Sequence, residues 1–330
     1  MFLGCFLSPA PKTPKNFQKS IEKIFSNIYT ITVTLKERRK GRPKMIDFHT
    51  HILPNIDNGS RNIEETFNLI KEAKEAGFEG IVLTSHYKEG YYETDTPERE
   101  MWVNAITENL RAKGIDIKIY LANEIYITDN MMELLERGKA STINNTCYVL
   151  IDLPLDEEPM NLYQVIYSLQ ENKLIPVIAH PERYEFIQKE PEFVYELIEK
   201  GCYMQANYGS ILGQYGRKAQ LIVRKLLENH SIHFLGSDVH RQGTIYPKMK
   251  EALLEIEEIV GKDKLEDLTT TNPKLALANK RIEIDTPYES KLSFKEKIKM
   301  YIKSKIRIKN FFKRNINFQI LTKKSFLCFS

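Results

Sequence analysis

The chain has few cysteines and no long apolar run, and each absence narrows what it can be. Its four cysteines, Cys5, Cys147, Cys202 and Cys328, show neither a CxxC spacing nor the density of a disulfide framework, which favours a reducing compartment such as the cytosol. None has an arginine six positions downstream, so the Cys-x5-Arg loop of thiol phosphatases is missing and a cysteine nucleophile is not expected. No stretch approaches ~18 uncharged apolar residues, so no transmembrane helix is expected. The opening Met-Phe-Leu-Gly-Cys-Phe-Leu run has no leading basic region and meets Pro9, Pro11 and Pro14 at once, which argues against a secretory signal.

What is present is an ordinary globular composition, with 42% hydrophobic and 28% charged residues over 330 positions, enough for one full core with extensions. The net charge of +4 conceals an asymmetry. Residues 1–44 carry ten Lys/Arg against two Glu, and 291–330 carry twelve against one, which leaves 45–290 at −15. An acidic body between basic ends gives no support for a nucleic-acid partner. The expected division is a basic extension over 1–44, a catalytic barrel over 45–285 and a basic tail over 286–330. Composition changes sharply at Met45, which reads as a natural start, so 1–44 is either a loose extension or an upstream mis-called start. The tail sets Phe294, Ile298, Tyr301, Ile302, Ile306, Ile308, Phe311 and Phe312 among its lysines. That pattern fits either a solvated tail or a basic amphipathic helix lying on an anionic membrane or protein surface.

Between the ends, β-rich runs at 45–49, 79–85, 117–127, 146–152, 174–179, 202–207 and 232–237 alternate with helical patterns. Helices are expected near 63–76, 98–113, 129–137, 161–172, 191–200, 216–229 and 247–260. In the first, Ile63, Phe67, Ile70 and Ala73 recur at helical spacing, Asn62 can cap the start with Glu65 at N3, and Gly77 can end it. Repeated βα units imply an α/β fold with a mainly parallel sheet, and seven of them suggest closure into a small barrel. Function then belongs at the C-terminal ends of the strands.

Five histidines and several carboxylates sit at those ends. His49 and His51 are two apart on the first strand and share a face, with Asp47 expected on the same face. His86 follows the second strand, Glu124 lies in the third, His180 follows the fifth, and Asp238 with His240 follow the seventh. A carboxylate such as Glu124 in a β-rich run is expensive to bury unpaired, and bridging two divalent ions explains it better than an isolated salt bridge. Mixed nitrogen and oxygen donors suit Zn²⁺, Mn²⁺ or Fe²⁺. Asp57, in Ile-Asp-Asn-Gly-Ser, is either a ligand or an Asx-turn residue. Arg183, in His-Pro-Glu-Arg-Tyr, can hold phosphate oxygens bidentately or form a surface salt bridge. His230 and His233 flank the start of the seventh strand, the wrong end for chemistry, and are expected to be structural.

These blocks resemble the PHP (polymerase and histidinol phosphatase) superfamily, and more closely its bacterial capsule and exopolysaccharide branch of metal-dependent protein-tyrosine phosphatases of the CpsB/YwqE type. The blocks are Met45-Ile-Asp-Phe-His-Thr-His-Ile-Leu-Pro, Ile56-Asp-Asn-Gly-Ser, Thr84-Ser-His, Asn123-Glu-Ile-Tyr, Pro176-Val-Ile-Ala-His-Pro-Glu-Arg-Tyr and Gly236-Ser-Asp-Val-His, in family order across about 45–280. The resemblance implies a distorted (β/α)7 barrel with three divalent ions, Mn²⁺ first and Fe²⁺ or Zn²⁺ as alternatives. His49, His51, Glu124 and Asp238 would hold the first ion, Glu124 and His180 the second, and Asp57, His86 and His240 the third. The family usually carries two acidic residues in the turn where this chain has Asp57-Asn58. Arg183 matches the family's arginine at the substrate phosphate, and a metal-bound hydroxide would be the nucleophile.

The substrate implied by the resemblance is phosphotyrosine on a protein, typically the tail of a bacterial tyrosine autokinase that controls polysaccharide synthesis. A cytoplasmic setting follows, with peripheral contact at the inner membrane face if the tail is amphipathic. Two rivals stand beside this expectation: a phosphomonoesterase acting on a small metabolite such as histidinol phosphate, and a non-catalytic partner of a polysaccharide-assembly complex.

Overall fold

The computed structural model describes residues 44–283. The expectations for the N-terminal extension, its start site and the basic tail lie outside the described residues. Seven strands are present: β1 (Met45–Thr50), β2 (Phe78–Tyr87), β3 (Lys118–Tyr126), β4 (Tyr148–Asp152), β5 (Ile175–Ala179), β6 (Tyr203–Asn207) and β7 (Phe234–Gly236). They pair in sequence order and every pair is parallel, as the βα alternation requires. β7 returns to β1 only past its own end, through a parallel bridge between Thr50 and Val239. There His51 N donates to Val239 O at 3.0 Å and Asp238 N to His49 O at 2.8 Å. The barrel is therefore nearly closed, with its seam tied at the C-terminal rim.

The helices cover the outside as their periodicity predicts. Helix Ile63–Ala76 buries Ile63, Phe67, Ile70 and Ala73, the three larger side chains each contributing about 1.5–3 kcal/mol relative to exposure. Asn62 Oδ1 accepts from Glu65 N at 2.9 Å, and Gly77 ends the helix at φ 106°, a left-handed conformation that glycine adopts without a Cβ penalty. The reciprocal half of the capping box is displaced by one residue, because the Glu65 carboxylate accepts from Arg61 N at 2.8 Å instead of Asn62 N. The second helix starts at Thr96, two residues early, because Asp95 caps it.

Inside the barrel, Ile46, Phe48, Val82, Ala122, Leu150, Val177, Ala179 and Phe234 form a separate cluster, with Phe48 and Phe234 stacked at 4.0 Å. The segment after Val260, for which the alternation gives no element, closes the N-terminal mouth. Ala276 and Ile282 join the inner cluster, while the Tyr148 and Tyr203 hydroxyls donate to Lys280 O at 2.8 Å and Ile282 O at 2.7 Å. His233 belongs to this end, where its Nδ1 accepts from Met204 N at 3.1 Å, a structural role as expected. Apolar packing thus fills the barrel below its C-terminal rim and leaves the rim to polar side chains. Among the described residues, no helix is long and apolar enough to cross a membrane.

One irregularity decides what β1 presents. Asp47 pairs with Ile81 and Thr50 with Leu83, so three steps on β1 match two on β2. An inserted residue of this kind reverses the facing of everything after it. Ile46 and Phe48 point into the barrel, and beyond the bulge His49 and His51 do so too. Asp47 therefore does not share the histidines' face as the plain alternation predicts. It points outward, accepting from Ser237 N at 2.8 Å and from the Tyr246 hydroxyl at 2.9 Å.

Candidate metal centre

The rim collects imidazole and carboxylate side chains from six of the seven strand ends, and Glu124 of β3 is at their focus. Its Oε2 lies 3.3 Å from His49 Nε2, 3.3 Å from His51 Nε2 and 2.9 Å from His86 Nδ1. Its Oε1 lies 2.9 Å from His180 Nε2. β2 runs on to Tyr87, so His86 sits within the strand and directly opposite Glu124 in the ladder. Asp238 completes the first group, with Oδ1 3.7 Å from His49 Nε2 and 3.4 Å from His51 Nε2. His240 stacks on His51 at 4.1 Å between ring centroids.

The proton positions show why these atoms want a cation. Gln205 Nε2 donates to Ala206 O and Asn207 Oδ1, so its Oε1 is the acceptor 2.6 Å from His49 Nδ1. His51 Nδ1 is 2.8 Å from Asp57 Oδ2. Both Nδ1 atoms are therefore donors, as in imidazoles oriented for metal ligation by a carboxylate or carbonyl behind them. The two Nε2 atoms, 3.0 Å apart, face each other as lone pairs when both rings are neutral, and pair only if one ring becomes a buried charged imidazolium that donates to the other. Glu124 Oε2, although fully buried, has no hydrogen-bond partner. A divalent ion resolves both conflicts. Ligand atoms around a tetrahedral ion with bonds of ~2.1 Å stand about 3.4 Å apart, and the spacings here run from 3.0 to 3.7 Å. The residues fit a metal ion.

Charge in the cluster is consistent with that fit. Burial opposes ionisation of Glu124 and Asp238, yet the surrounding imidazoles outweigh it and hold both carboxyls well below their usual range. Burial likewise opposes charge on His49 and His51, but Glu124 and Asp238 raise the first, and Asp57 with Asp238 the second. Without a cation, protons on the imidazoles balance the ionised carboxylates. Metal must displace those protons, so affinity weakens as pH falls. Burial and the neighbouring His51 push His240 down to about 4, which leaves it neutral and able to ligate.

Among the described residues three groups have donor atoms close enough to share an ion: His49, His51 and Glu124; His51, His86 and His240; and His86, Glu124 and Asp152. Asp57 belongs to none of them. Its carboxylate accepts from His86 N at 2.9 Å and Gly59 N at 2.8 Å besides its contact with His51. Asp152 is the residue sequence reasoning missed, although it ends β4 by the same strand-end rule that singled out the others. It lies 3.9 Å from His180 Nε2, and burial followed by Glu124 raises its pKa. Gln205 and Asn207 were also missed, because a polar residue that supports a ligand carries no spacing signal of its own.

Arg183 reaches the same site. Its Nη1 donates to Asp238 Oδ2 at 2.7 Å, beside Asn207 Nδ2 at 2.8 Å. Two of the strand-end residues hold left-handed backbone, His180 at φ 30° and Asp238 at φ 51°. Such strain in residues with a Cβ persists where surrounding structure over-determines it, typically at functional sites. Cys202 is buried and its thiol is pushed up to about 12 by that burial, which disfavours a thiolate at that position.

Known proteins share this chain's pattern. Residues 45–278 match the family described as capsular polysaccharide synthesis, CpsB/CapC. The tyrosine-protein phosphatase YwqE of Bacillus subtilis (strain 168) is 32% identical over 238 residues, spanning 72% of this chain and 93% of YwqE. The tyrosine-protein phosphatase CpsB of Streptococcus agalactiae is 32% identical over 242 residues, spanning 71% of this chain and 99% of CpsB. A solved structure from work on YwqE of Bacillus subtilis and CpsB of Streptococcus pneumoniae, described as unique metal-dependent tyrosine phosphatases, matches with a TM-score of 0.68 at 32% identity. It covers 72% of this chain and 96% of that one. The chain belongs to the CpsB/CapC family of capsular polysaccharide synthesis.

Proposed function

We propose that the chain is a metal-dependent protein-tyrosine phosphatase, acting on a bacterial tyrosine autokinase that regulates capsule or exopolysaccharide synthesis. The observation that carries this reading is Glu124, whose two buried oxygens face different sets of imidazoles. His49, His51, Glu124 and Asp238 would hold one divalent ion, Glu124 and His180 a second, and His86, His240 and Asp57 a third, with Mn²⁺ first among the candidates. The hydrogen bonds of Asp57 favour a second reading for that residue alone, as the partner that orients His51.

Bound divalent ions would supply a water of lowered pKa and neutralise phosphate oxygens. The protein's own part is to keep Glu124 and Asp238 ionised, to fix the imidazoles through Gln205 and Asp57, and to offer Arg183 to the phosphate. Fork-like donation from arginine suits a phosphoryl group better than a point charge does. The setting we propose is cytoplasmic, with the tail over 286–330 in peripheral contact with the membrane; deletion of that tail should release the protein from membrane fractions. Phosphate release from a phosphotyrosyl peptide, set against release from histidinol phosphate, tests the substrate class. Faster turnover of histidinol phosphate would favour the small-metabolite rival, and no turnover of either by metal-loaded protein would favour a non-catalytic partner.

A further inference from the structure

Asp238 divides its two oxygens between two tasks. Oδ1 faces the His49 and His51 imidazoles, and Oδ2 accepts from Arg183 Nη1, Asn207 Nδ2 and the Tyr215 hydroxyl at 2.7, 2.8 and 3.2 Å. Tyr215 makes a second contact, since the Arg183 guanidinium lies over its ring at 4.4 Å from the centroid. One side chain thus holds both the arginine and the carboxylate that the arginine bridges to.

The backbone is built to place it there. Gln214 and Tyr215 lie between Gly213 and Gly216, at φ 77° and 91°, conformations that glycine reaches without strain. Gly216 N donates to Gly213 O at 3.0 Å, and the turn is pinned to the preceding helix by Gly213 N to Ser210 O and Gln214 N to Gly209 O, both at 3.0 Å. The turn is closed by its own hydrogen bonds, which fix the backbone from which Tyr215 projects.

We infer that Tyr215 is a positioning residue for Arg183, its ring fixing the plane of the guanidinium and its hydroxyl keeping Asp238 satisfied when Arg183 turns to a phosphate. A guanidinium beside a cluster of cations is repelled by them, and a stacked aromatic face with its negative quadrupole offsets that repulsion. Stacking occupies a face of the guanidinium and leaves its edge N–H groups to donate. With Asn207 and Tyr215 still donating to Oδ2, departure of Arg183 does not leave Asp238 bare. The inference rests on the proposed phosphate-binding role of Arg183, and the test separates the two.

The probe is inorganic phosphate, titrated calorimetrically into the Mn²⁺-loaded full chain, alongside kcat and KM on a phosphotyrosyl peptide. Loss of a cation–aromatic contact in a partly desolvated site corresponds to about 3- to 30-fold in affinity. Tyr215→Leu and Tyr215→Gln, either of which suffices if the other fails to fold, should weaken phosphate and raise KM by that factor, with kcat within about twofold. Tyr215→Phe keeps the ring and loses one of the two donors that remain to Asp238 Oδ2, so its phosphate affinity should fall less than that of Tyr215→Leu; a loss equal to that of Tyr215→Leu would overturn the role given to the ring. In an Arg183→Gln background, removal of the ring should have no further effect, because Tyr215 acts through Arg183. Unchanged phosphate affinity in Tyr215→Leu and Tyr215→Gln, or a full effect persisting in the Arg183→Gln background, overturns the inference. Unchanged affinity in Arg183→Gln itself refutes the phosphate-binding role of Arg183 and the inference with it.

Discussion

Gly236→Ala is a one-methyl perturbation aimed at the seam that carries the metal centre. Gly236 ends β7 and pairs with Asn207 of β6. A Cβ there would stand 2.5 Å from His49 Cβ, 2.9 Å from Gln205 Nε2 and 3.0 Å from His49 N, whereas carbon contacts prefer about 3.5–4.0 Å. Roughly 1 Å of separation must be found, and none of the neighbours is a free chain end. His49 is tied on β1, and Gln205 holds three hydrogen bonds. Glycine-to-alanine changes at compatible sites stabilise by about 0.4–1 kcal/mol through the unfolded chain. Overpacking of about 1–3 kcal/mol outweighs this. For a domain of this size the net effect is a fall in melting temperature of about 2–10 °C. Because the displaced group is a proposed ligand, metal affinity should fall as well, by about 10-fold or more. Thermal unfolding of the metal-free protein and a Mn²⁺ titration measure the two effects separately. A variant with native melting temperature and native metal affinity would refute the packing described here for β1 against β7.

Gln205→Leu removes the acceptor behind His49 Nδ1 and should lower metal affinity by about 10- to 100-fold while the fold survives, read by calorimetric titration and circular dichroism. Asp57→Asn separates the two readings of that residue: its hydrogen bonds predict weaker binding at unchanged ion stoichiometry, whereas loss of one ion by elemental analysis would make it a ligand. Burial raises the Asp47 carboxyl to about 6 against partly opposing hydrogen bonds from Ser237 and Tyr246, so the native state binds more protons than the unfolded state between about pH 4 and 6. Its contribution to stability is therefore lost as pH rises through that window. For metal-stripped protein, the unfolding free energy of the native chain minus that of Asp47→Asn should fall by about 2–3 kcal/mol from pH 4 to 7. A difference that is flat or rises across that range in urea melts would contradict the burial assigned to Asp47.

Much of this arrangement is legible in the chain itself. Helical periodicity at Ile63, Phe67, Ile70 and Ala73 located a helix to the residue, since a long amphipathic pattern is the strongest local signal. Alternation of βα units led to the parallel order, and histidines at repeated strand ends marked the functional rim. The β1 bulge was not legible. It arises from how β1 meets β2, a tertiary property with no residue type to announce it, and it is why Asp47 faces Tyr246 and not the imidazoles. Asp152 followed the strand-end pattern but stood in no motif with a histidine. Gln205, Asn207 and Tyr215 come from different strands and turns than the groups they hold, so only the closed barrel brings them together.

The central claim is that the histidines and carboxylates gathered on Glu124 hold metal ions on which phosphotyrosine hydrolysis depends. Its most direct test is phosphate release from a phosphotyrosyl peptide by chelator-stripped protein as Mn²⁺ is titrated back, with bound metal counted at each step and Glu124→Ala run in parallel. The account predicts no turnover when stripped, recovery in step with bound metal, and neither metal nor turnover in the folded Glu124→Ala protein. Full turnover by stripped protein, or by Glu124→Ala, would contradict it.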